Sequence, residues 1–207
     1  MADRTSEQLS AVALVCTLTP SPDESSSQVL AGQVLDALRE HDVVGTAVRV
    51  VDHEVKPGVQ RDMGDGEAWP GIRDRVMRAD ILLVATPTWL GQPSSVCQRV
   101  LERLDAELSE KDEQGRPVMF GKVAIGAIVG NEDGAHHITG VLFQALNDVG
   151  FTVPAQGVTY WNGEAMSGTD YKDLDHPPDA VRSTIKTVSA NASHLARALK
   201  QSEYPPQ

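Results

Sequence analysis

The chain has 207 residues and a formal net charge of −11 at pH 7, with 18 Lys and Arg against 29 Asp and Glu. That length can bury one substantial core, so we expect a single domain over residues 1–207, with flexible ends at 1–10 and 201–207. The acidic balance argues against nucleic acids and anionic membranes as partners, because both are bound through clustered Lys and Arg. It fits either a solvated surface or a docking face for a basic redox partner.

The cysteines and the N-terminus predict a cytoplasmic protein. Cys16 and Cys97 form neither a CxxC motif nor a cluster, which fits buried thiols in a reducing compartment better than a disulfide framework. The acidic start, residues 1–4, lacks the basic flank of a signal peptide, and the apolar run 11–16 is too short to span a membrane.

Apolar runs alternate with amphipathic stretches, a pattern typical of βαβ units around a parallel sheet. In chain order, the predicted strands are 11–17, 47–52, 80–86, 123–129 and 151–160, and the predicted helices are 25–41, 69–78, 93–108, 138–149 and one after 178. Together they predict an α/β fold with a doubly wound parallel five-stranded sheet of order 2-1-3-4-5. Ligands of such sheets bind beyond the carboxyl ends of the strands, at the switch point between the first and third strands.

The loop after the first predicted strand carries many hydroxyl groups and leads directly into a helix. Its candidate ligand residues are Thr17, Thr19, Ser25, Ser26 and Ser27. A helix N-terminus offers unpaired N–H groups and a partial positive charge, so it can hold a phosphate. No Lys or Arg lies between Arg4 and Arg39, so a phosphate here would depend on neutral donors. The alternative is that the serines form an ordinary helix N-cap.

Several familiar site types are absent from the sequence. There is no GxxxxGK(S/T) motif of a P-loop and no GxGxxG motif of an ordinary Rossmann domain. A receiver domain would have an acidic pair after its first strand, where this chain has Cys16 and Thr17. A GxSxG nucleophile elbow is also missing, which disfavours an α/β hydrolase.

The third predicted strand is wholly apolar and stops abruptly at Thr86 and Pro87. The candidate ligand residues that follow are Pro87, Thr88, Trp89, Leu90 and Gly91. Backbone N–H groups beside one aromatic face suit a flat heteroaromatic ring better than a sugar or a metal. Such donors stabilise the negative charge that develops when the ring is reduced. Trp89 either covers one face of the ring or wedges the loop against the core.

The loop after the fourth predicted strand, residues 130–137, is rich in turn-forming and polar residues. Asn131, Glu132 and Asp133 offer contacts to a pyrimidine edge and an N-cap for the next helix. The adjacent His136 and His137 cannot share one helix face as metal-binding i, i+4 pairs do, so we expect no metal site. His136 is the one candidate for a proton donor or a ring contact.

In order and spacing, these three loops resemble those of the flavodoxin-like NAD(P)H-dependent FMN reductases and quinone oxidoreductases. Ser25-Ser26-Ser27 matches the family's Ser-Asn-Thr stretch, and 87–91 matches its Pro-x-Tyr/Trp-x-Gly/Ser turn. The resemblance covers about residues 11–160. The family's usual glycine and arginine in the first loop are replaced by Thr17 and Thr19-Pro20. Two distant cysteines exclude the branch of relatives that carries an iron–sulfur cluster.

The resemblance implies a flavodoxin-like enzyme that binds FMN and passes electrons from NADH or NADPH to a quinone, a flavin or a similar small acceptor. The flavin performs the chemistry, so no protein nucleophile is required. The family also implies a homodimer or homotetramer whose partner subunit helps to form the active site.

The alternative is a flavodoxin-type one-electron carrier that docks to protein partners. Acidity favours that carrier, and the insert-like segment 161–178 disfavours it. This segment could cover its own flavin, cover a partner's, or only seal the sheet edge.

Overall fold

The structure is a computed structural model that describes residues 8–165 and 167–206. Its strands are β1 (Leu9–Val15), β2 (Val43–Arg49), β3 (Ile81–Trp89), β4 (Gln92–Pro93), β5 (Val123–Gly130) and β6 (Val158–Asn162). Its α-helices are α1 (Ser26–Arg39), α2 (Trp69–Arg78), α3 (Ser95–Leu104), α4 (Ala135–Val149) and α5 (Asp179–Gln201). Short 3₁₀ turns lie at Val50–Asp52, Asp105–Ser109 and Tyr171–Asp173.

The sheet has the order β2-β1-β3-β5-β6, and all four of these pairings are parallel. Its five long strands therefore lie in the predicted order 2-1-3-4-5, which confirms the doubly wound, flavodoxin-like fold. The two-residue strand β4 was not predicted; it runs antiparallel to the end of β3. The carboxyl ends of β1, β3 and β5 meet at one edge of the sheet.

The central strands are apolar on both faces because helices cover both sides of the sheet. Alternate residues of β1 illustrate this arrangement. Val12 and Leu14 pack into a layer with α2, α3 and α4, whereas Ala13 and Val15 pack into a layer with α1 and α5. The fold therefore buries its core in two layers and leaves the strand ends accessible.

β3 is longer than the sequence predicts. We expected it to end at Thr86, but it continues through Pro87 to Trp89. Pairing explains the difference: Pro87 lies opposite Val129 of β5, and Thr88 lies opposite Pro93 of β4. The predicted loop after this strand is therefore mostly strand, followed by a tight turn at residues 90 and 91.

Two other strands are shifted from their predicted positions. β2 begins at Val43 rather than at 47, because its seven residues all pair with β1, and 50–52 form a 3₁₀ turn instead. β6 spans 158–162, so it overlaps only the last three residues of the predicted 151–160 region and extends two residues beyond it. Pro154 interrupts this stretch, and Thr152 makes only an isolated bridge to Val123.

Residues within both predicted flexible ends make contacts with the rest of the protein. Within the expected flexible stretch 1–10, Leu9 already belongs to β1 and is buried. Within 201–207, the Tyr204 ring lies 4.8 Å from the Phe120 ring, and its hydroxyl is 2.9 Å from Thr152 Oγ1. Residues 1–7 and 207 lie outside the described residues.

Candidate functional site

A cleft of about 130 Å³ opens at the carboxyl edge of the sheet and brings the three predicted loops together. Predicted residues that line it are Thr17, Thr19, Ser25, Ser26, Ser27, Pro87, Thr88, Trp89 and Asn131. This volume is well below the roughly 300–1,000 Å³ of pockets that enclose a whole small molecule. The cleft therefore encloses one part of a ligand, and the rest would lie across its open mouth.

A larger, shallower groove of about 770 Å³ lies between α2 and the 3₁₀ turn that follows α3. Its charged side chains pair with partners in the same region: Arg61 Nη1 lies 3.0 Å from Glu110 and Arg73 Nε lies 2.5 Å from Glu107. None of its lining residues belongs to the ends of β1, β3 or β5, where ligands of this fold bind. We therefore place the functional site in the smaller cleft.

The N-terminus of α1 forms one wall of the cleft. Ser25 is extended and caps the helix, because its Oγ accepts a hydrogen bond of 3.4 Å from the amide of Gln28. The amides of Ser26 and Ser27 precede the first residue that can bond within the helix. Ser25 thus serves as the N-cap, and the two amides beside it are available to an anion.

The loop before α1 is held in place by bonds to the end of β2. The hydroxyl and amide of Ser21 donate to the Asp52 carboxylate at 2.6 and 2.8 Å. Arg49 donates to the carbonyl of Asp23 at 2.8 Å. The side-chain and backbone hydrogen bonds from Ser21 lower the pKa of Asp52, so this anchor stays ionised. The anchored loop holds the helix end in a fixed position against the sheet.

The end of β3 packs unusually closely against the loop that follows β5. A Cβ placed on Gly130 would lie 2.8 Å from Thr88 Cβ, and one placed on Gly134 would lie 2.8 Å from Gly91 Cα. Only glycine fits at either position. Thr88 is 4% exposed, and within the described residues its Oγ1 has no hydrogen-bond partner. This hydroxyl lies against Gly130 and has almost no exposed surface, so it belongs to the close packing beside the cleft.

A fourth segment closes the cleft; it belongs to the stretch 161–178, from which no candidate ligand residue was predicted. The amide of Lys172 donates to Ser26 Oγ at 3.2 Å, and Asn131 Nδ2 donates to Asp170 at 3.4 Å. Residues 170–172 therefore bridge the first and third loops. Because 146 residues separate Lys172 from Ser26 along the chain, no local sequence signal could have placed this lysine in the site.

Tyr171 fixes this segment to the body of the protein. Its hydroxyl donates a hydrogen bond of 2.5 Å to Gln33 of α1, and its ring lies 5.5 Å from the ring of Trp161. Burial raises the pKa of Tyr171 to about 12, although the hydrogen bond to Gln33 acts in the opposite direction. Trp161 and residues 170–172 thus line the cleft of their own chain.

Five predicted site residues lie outside the cleft lining. They are Leu90, Gly91, Glu132, Asp133 and His136. Three of them, Leu90, Glu132 and Asp133, make hydrogen bonds within the loops beside the cleft. The Leu90 amide, which we expected to face a ring, donates instead to the Glu132 carboxylate at 2.8 Å. The Asp133 carboxylate accepts from the Gly134 amide at 2.7 Å.

His136, predicted as a candidate proton donor or ring contact, is not among the described residues that line the cleft. Its Nε2 lies 3.2 Å from the Tyr160 hydroxyl, and the two rings meet edge to face. Strand alternation explains this placement: Trp161 of β6 faces the α1 and α5 side and lines the cleft, so Tyr160 and its partner lie on the α4 side.

A model of the family described as NADPH-dependent FMN reductase matches residues 11–165. The 8-demethyl-8-aminoriboflavin-5'-phosphate synthase of Streptomyces davaonensis is 31% identical over 208 residues, which cover 95% of this chain and 80% of that protein. The crystal structure of RosB with bound 8-demethyl-8-formylriboflavin-5'-phosphate superposes with a TM-score of 0.86. It is 31% identical, and the match covers 95% of this chain and 82% of that one.

A longer relative contains a similar region. The divalent metal cation transporter MntH of Mycobacterium bovis is 34% identical over 199 residues, which cover 93% of this chain but only 29% of that protein. Across residues 8–165 and 167–206, no helix has the length and apolar character needed to cross a membrane.

Proposed function

Because the chain belongs to the NADPH-dependent FMN reductase family, it is an FMN-binding oxidoreductase that uses NAD(P)H, and we propose that its FMN binds in the cleft described above. The observation that carries this proposal is that one cleft brings together the N-terminus of α1, the end of β3 and the loop after β5. A flavin supplies a phosphate for the helix end, and carbonyl, imine and ribityl groups for the other polar groups of the lining.

The first loop is suited to the phosphate end of FMN. The amides of Ser26 and Ser27 lie at the N-terminus of α1, where the helix dipole favours an anion. The cap formed by Ser25 holds this helix end open. The small enclosed volume of the cleft fits this narrow end of the cofactor.

The end of β3 is suited to the ring. Trp89 is 56% exposed at the mouth of the cleft, and Trp161 lines the opposite part. Between them the mouth offers aromatic and apolar surface for one part of the isoalloxazine. FMN, when bound, supplies the hydride and electron transfer. The protein binds and orients it and excludes water from the enclosed part.

The exposed apolar residues around the mouth of the cleft favour contact with a second copy of the chain. The resemblance to the family likewise implies a homodimer or homotetramer. Leu18, Trp89 and Leu90 are 44%, 56% and 90% exposed. A second copy packed there would cover these side chains and complete the acceptor pocket. We further propose that the protein is cytoplasmic and acts on a small acceptor such as a quinone or a flavin.

The direct test is anaerobic reduction of the FMN-loaded protein by NADH and by NADPH, followed through the flavin absorbance. Bleaching by either nucleotide, and recovery on addition of a quinone, is expected. A protein that retains no FMN absorbance after incubation with the cofactor and removal of the unbound part would overturn the proposal. FMN reduction only by a reductase protein, and not by free nucleotide, would instead identify the one-electron carrier.

A second candidate follows from the similarity to the synthase and to RosB. In those proteins a flavin 5'-phosphate is converted or bound as an intermediate, so the flavin in this cleft would be a substrate. Mass spectrometry of FMN recovered after incubation in air distinguishes the two functions. Unchanged FMN supports the reductase, and loss or oxidation of its 8-methyl group supports the second candidate.

A further inference from the structure

The charges that line the cleft are not those expected of a phosphate site. Glu24 and Asp170 contribute carboxylates, and among the described lining residues Lys172 is the one cationic side chain. A dianionic phosphate would therefore meet two negative groups and a single positive one. Neutral donors alone, as the sequence suggests, would leave this repulsion uncompensated.

Lys172 is held at the helix end by its backbone. Its amide bonds to Ser26 Oγ, which places the residue beside the first turn of α1. Its ammonium lies 2.8 Å from the Asp173 carboxylate, and the two side chains are 27% and 47% exposed. Such a partly exposed pair is weak, because water screens it and two flexible side chains must be fixed.

We propose that Lys172 leaves Asp173 to pair with the 5'-phosphate of the flavin, and that this contact makes the cleft select FMN over riboflavin. The inference rests on the proposed FMN site and assigns a charge to it that the first loop lacks. A charge-assisted bond to a phosphate is stronger than an exposed lysine–carboxylate pair. The exchange therefore favours the phosphorylated flavin, while riboflavin leaves the resting pair intact. The hydrogen bond and charge of Asp173 raise the pKa of Lys172, so the side chain is cationic at neutral pH.

The test compares the dissociation constants of FMN and riboflavin, measured by flavin fluorescence on the full-length apoprotein. Lys172→Gln keeps the backbone bond to Ser26 and removes the charge. We expect it to weaken FMN binding by about tenfold or more and to change riboflavin binding by less than about twofold. Lys172→Arg should restore most of the preference for FMN. Lys186→Gln, on the exposed face of α5, is the matched control and should leave both constants unchanged.

A second variant tests the exchange itself. Asp173→Asn frees the lysine in the resting protein, so FMN binding should tighten while riboflavin binding stays constant. If Lys172→Gln weakens the binding of FMN and riboflavin equally, or does not weaken FMN binding, the proposed role of Lys172 is overturned. If the wild-type protein binds neither flavin, the proposed function fails instead, so the two failures are distinguishable.

Discussion

The backbone amide of Leu90 donates a hydrogen bond of 2.8 Å to the carboxylate of Glu132. This bond joins the turn after β3 to the loop after β5, and it fixes Leu90 in a left-handed conformation with φ of 51°. Two consequences follow. The amide is not available to a ring, and a negative charge lies beside the turn that borders the proposed flavin site.

The charge of Glu132 is expected to disfavour reduction of the bound flavin. Glu132→Gln keeps an oxygen acceptor for Leu90 and removes the charge. A nearby charge interacts with the reduced ring by on the order of 1 kcal/mol, so the midpoint potential should rise by about 20 mV for a two-electron couple. Potentiometric titration of the FMN-loaded protein measures this change. Asp148→Asn, on the exposed face of α4, is the control; an unchanged or lower potential in Glu132→Gln would contradict the prediction.

The close packing of the two loops makes Gly134 sensitive to substitution. Its φ is 151°, and an added Cβ would lie 2.9 Å from Thr88 Cγ2. We expect Gly134→Ala to destabilise the protein by roughly 1–3 kcal/mol and to weaken FMN binding. Urea denaturation and fluorescence titration measure the two effects.

Gly140 provides the control, within the helix whose N-cap is Gly134. It lies in α4, and a Cβ added there would meet nothing within 4 Å. Gly140→Ala should therefore stabilise the protein by about 0.5–1 kcal/mol and leave FMN binding unchanged. Similar losses of stability and FMN binding in Gly134→Ala and Gly140→Ala would show that the contact between the loops is not the cause of the effect at Gly134.

A buried ion pair anchors the long connection before α2. Arg103 of α3 and Glu67 are both fully buried and bonded to each other, and the guanidinium also donates to the carbonyl of Lys56 at 3.0 Å. We expect Arg103→Met to cost about 3–5 kcal/mol, because it leaves a buried carboxylate without its partner. Adding Glu67→Gln should recover part of that loss.

The exposed pair between Asp36 and Arg39 is the comparison, because both side chains are more than two-thirds exposed, at 70% and 69%. Arg39→Met should change stability by less than about 1 kcal/mol. Equal effects in Arg103→Met and Arg39→Met would refute the structural role of the buried pair. Both are measured as free energies of unfolding in urea.

Glu67 should also contribute to acid sensitivity. Burial acts to raise its pKa, but the hydrogen bonds from Arg103 and from the amides of Met63 and Lys56 outweigh burial and lower the pKa below its ordinary value of 4.5. The unfolded state therefore takes up the proton first as pH falls. Stability is fully present above the unfolded pKa and declines as pH drops through the lower, folded pKa. Unfolding free energies across a descending pH series should fall less steeply in Glu67→Gln than in the wild type.

The sequence predicts the fold well because apolar runs and helical spacing report burial directly. The same patterns place the three loops at the strand ends, and topology then brings Ser26, Thr88 and Asn131 together. Other features depend on contacts between distant residues. β3 extends past Pro87 only because β4 and β5 pair with it, and His136 turns away because Tyr160 lies on the α4 side. Lys172 reaches the cleft through the packing of Tyr171 on α1, which no local pattern indicates.

A crystal structure of the protein with FMN tests the central claim most directly. The phosphate should lie within hydrogen-bond distance of the amides of Ser26 and Ser27 and of Lys172 Nζ, with the ring beside Trp89. FMN bound instead in the groove beside Arg61 and Arg73, or a phosphate directed away from α1, would contradict the account.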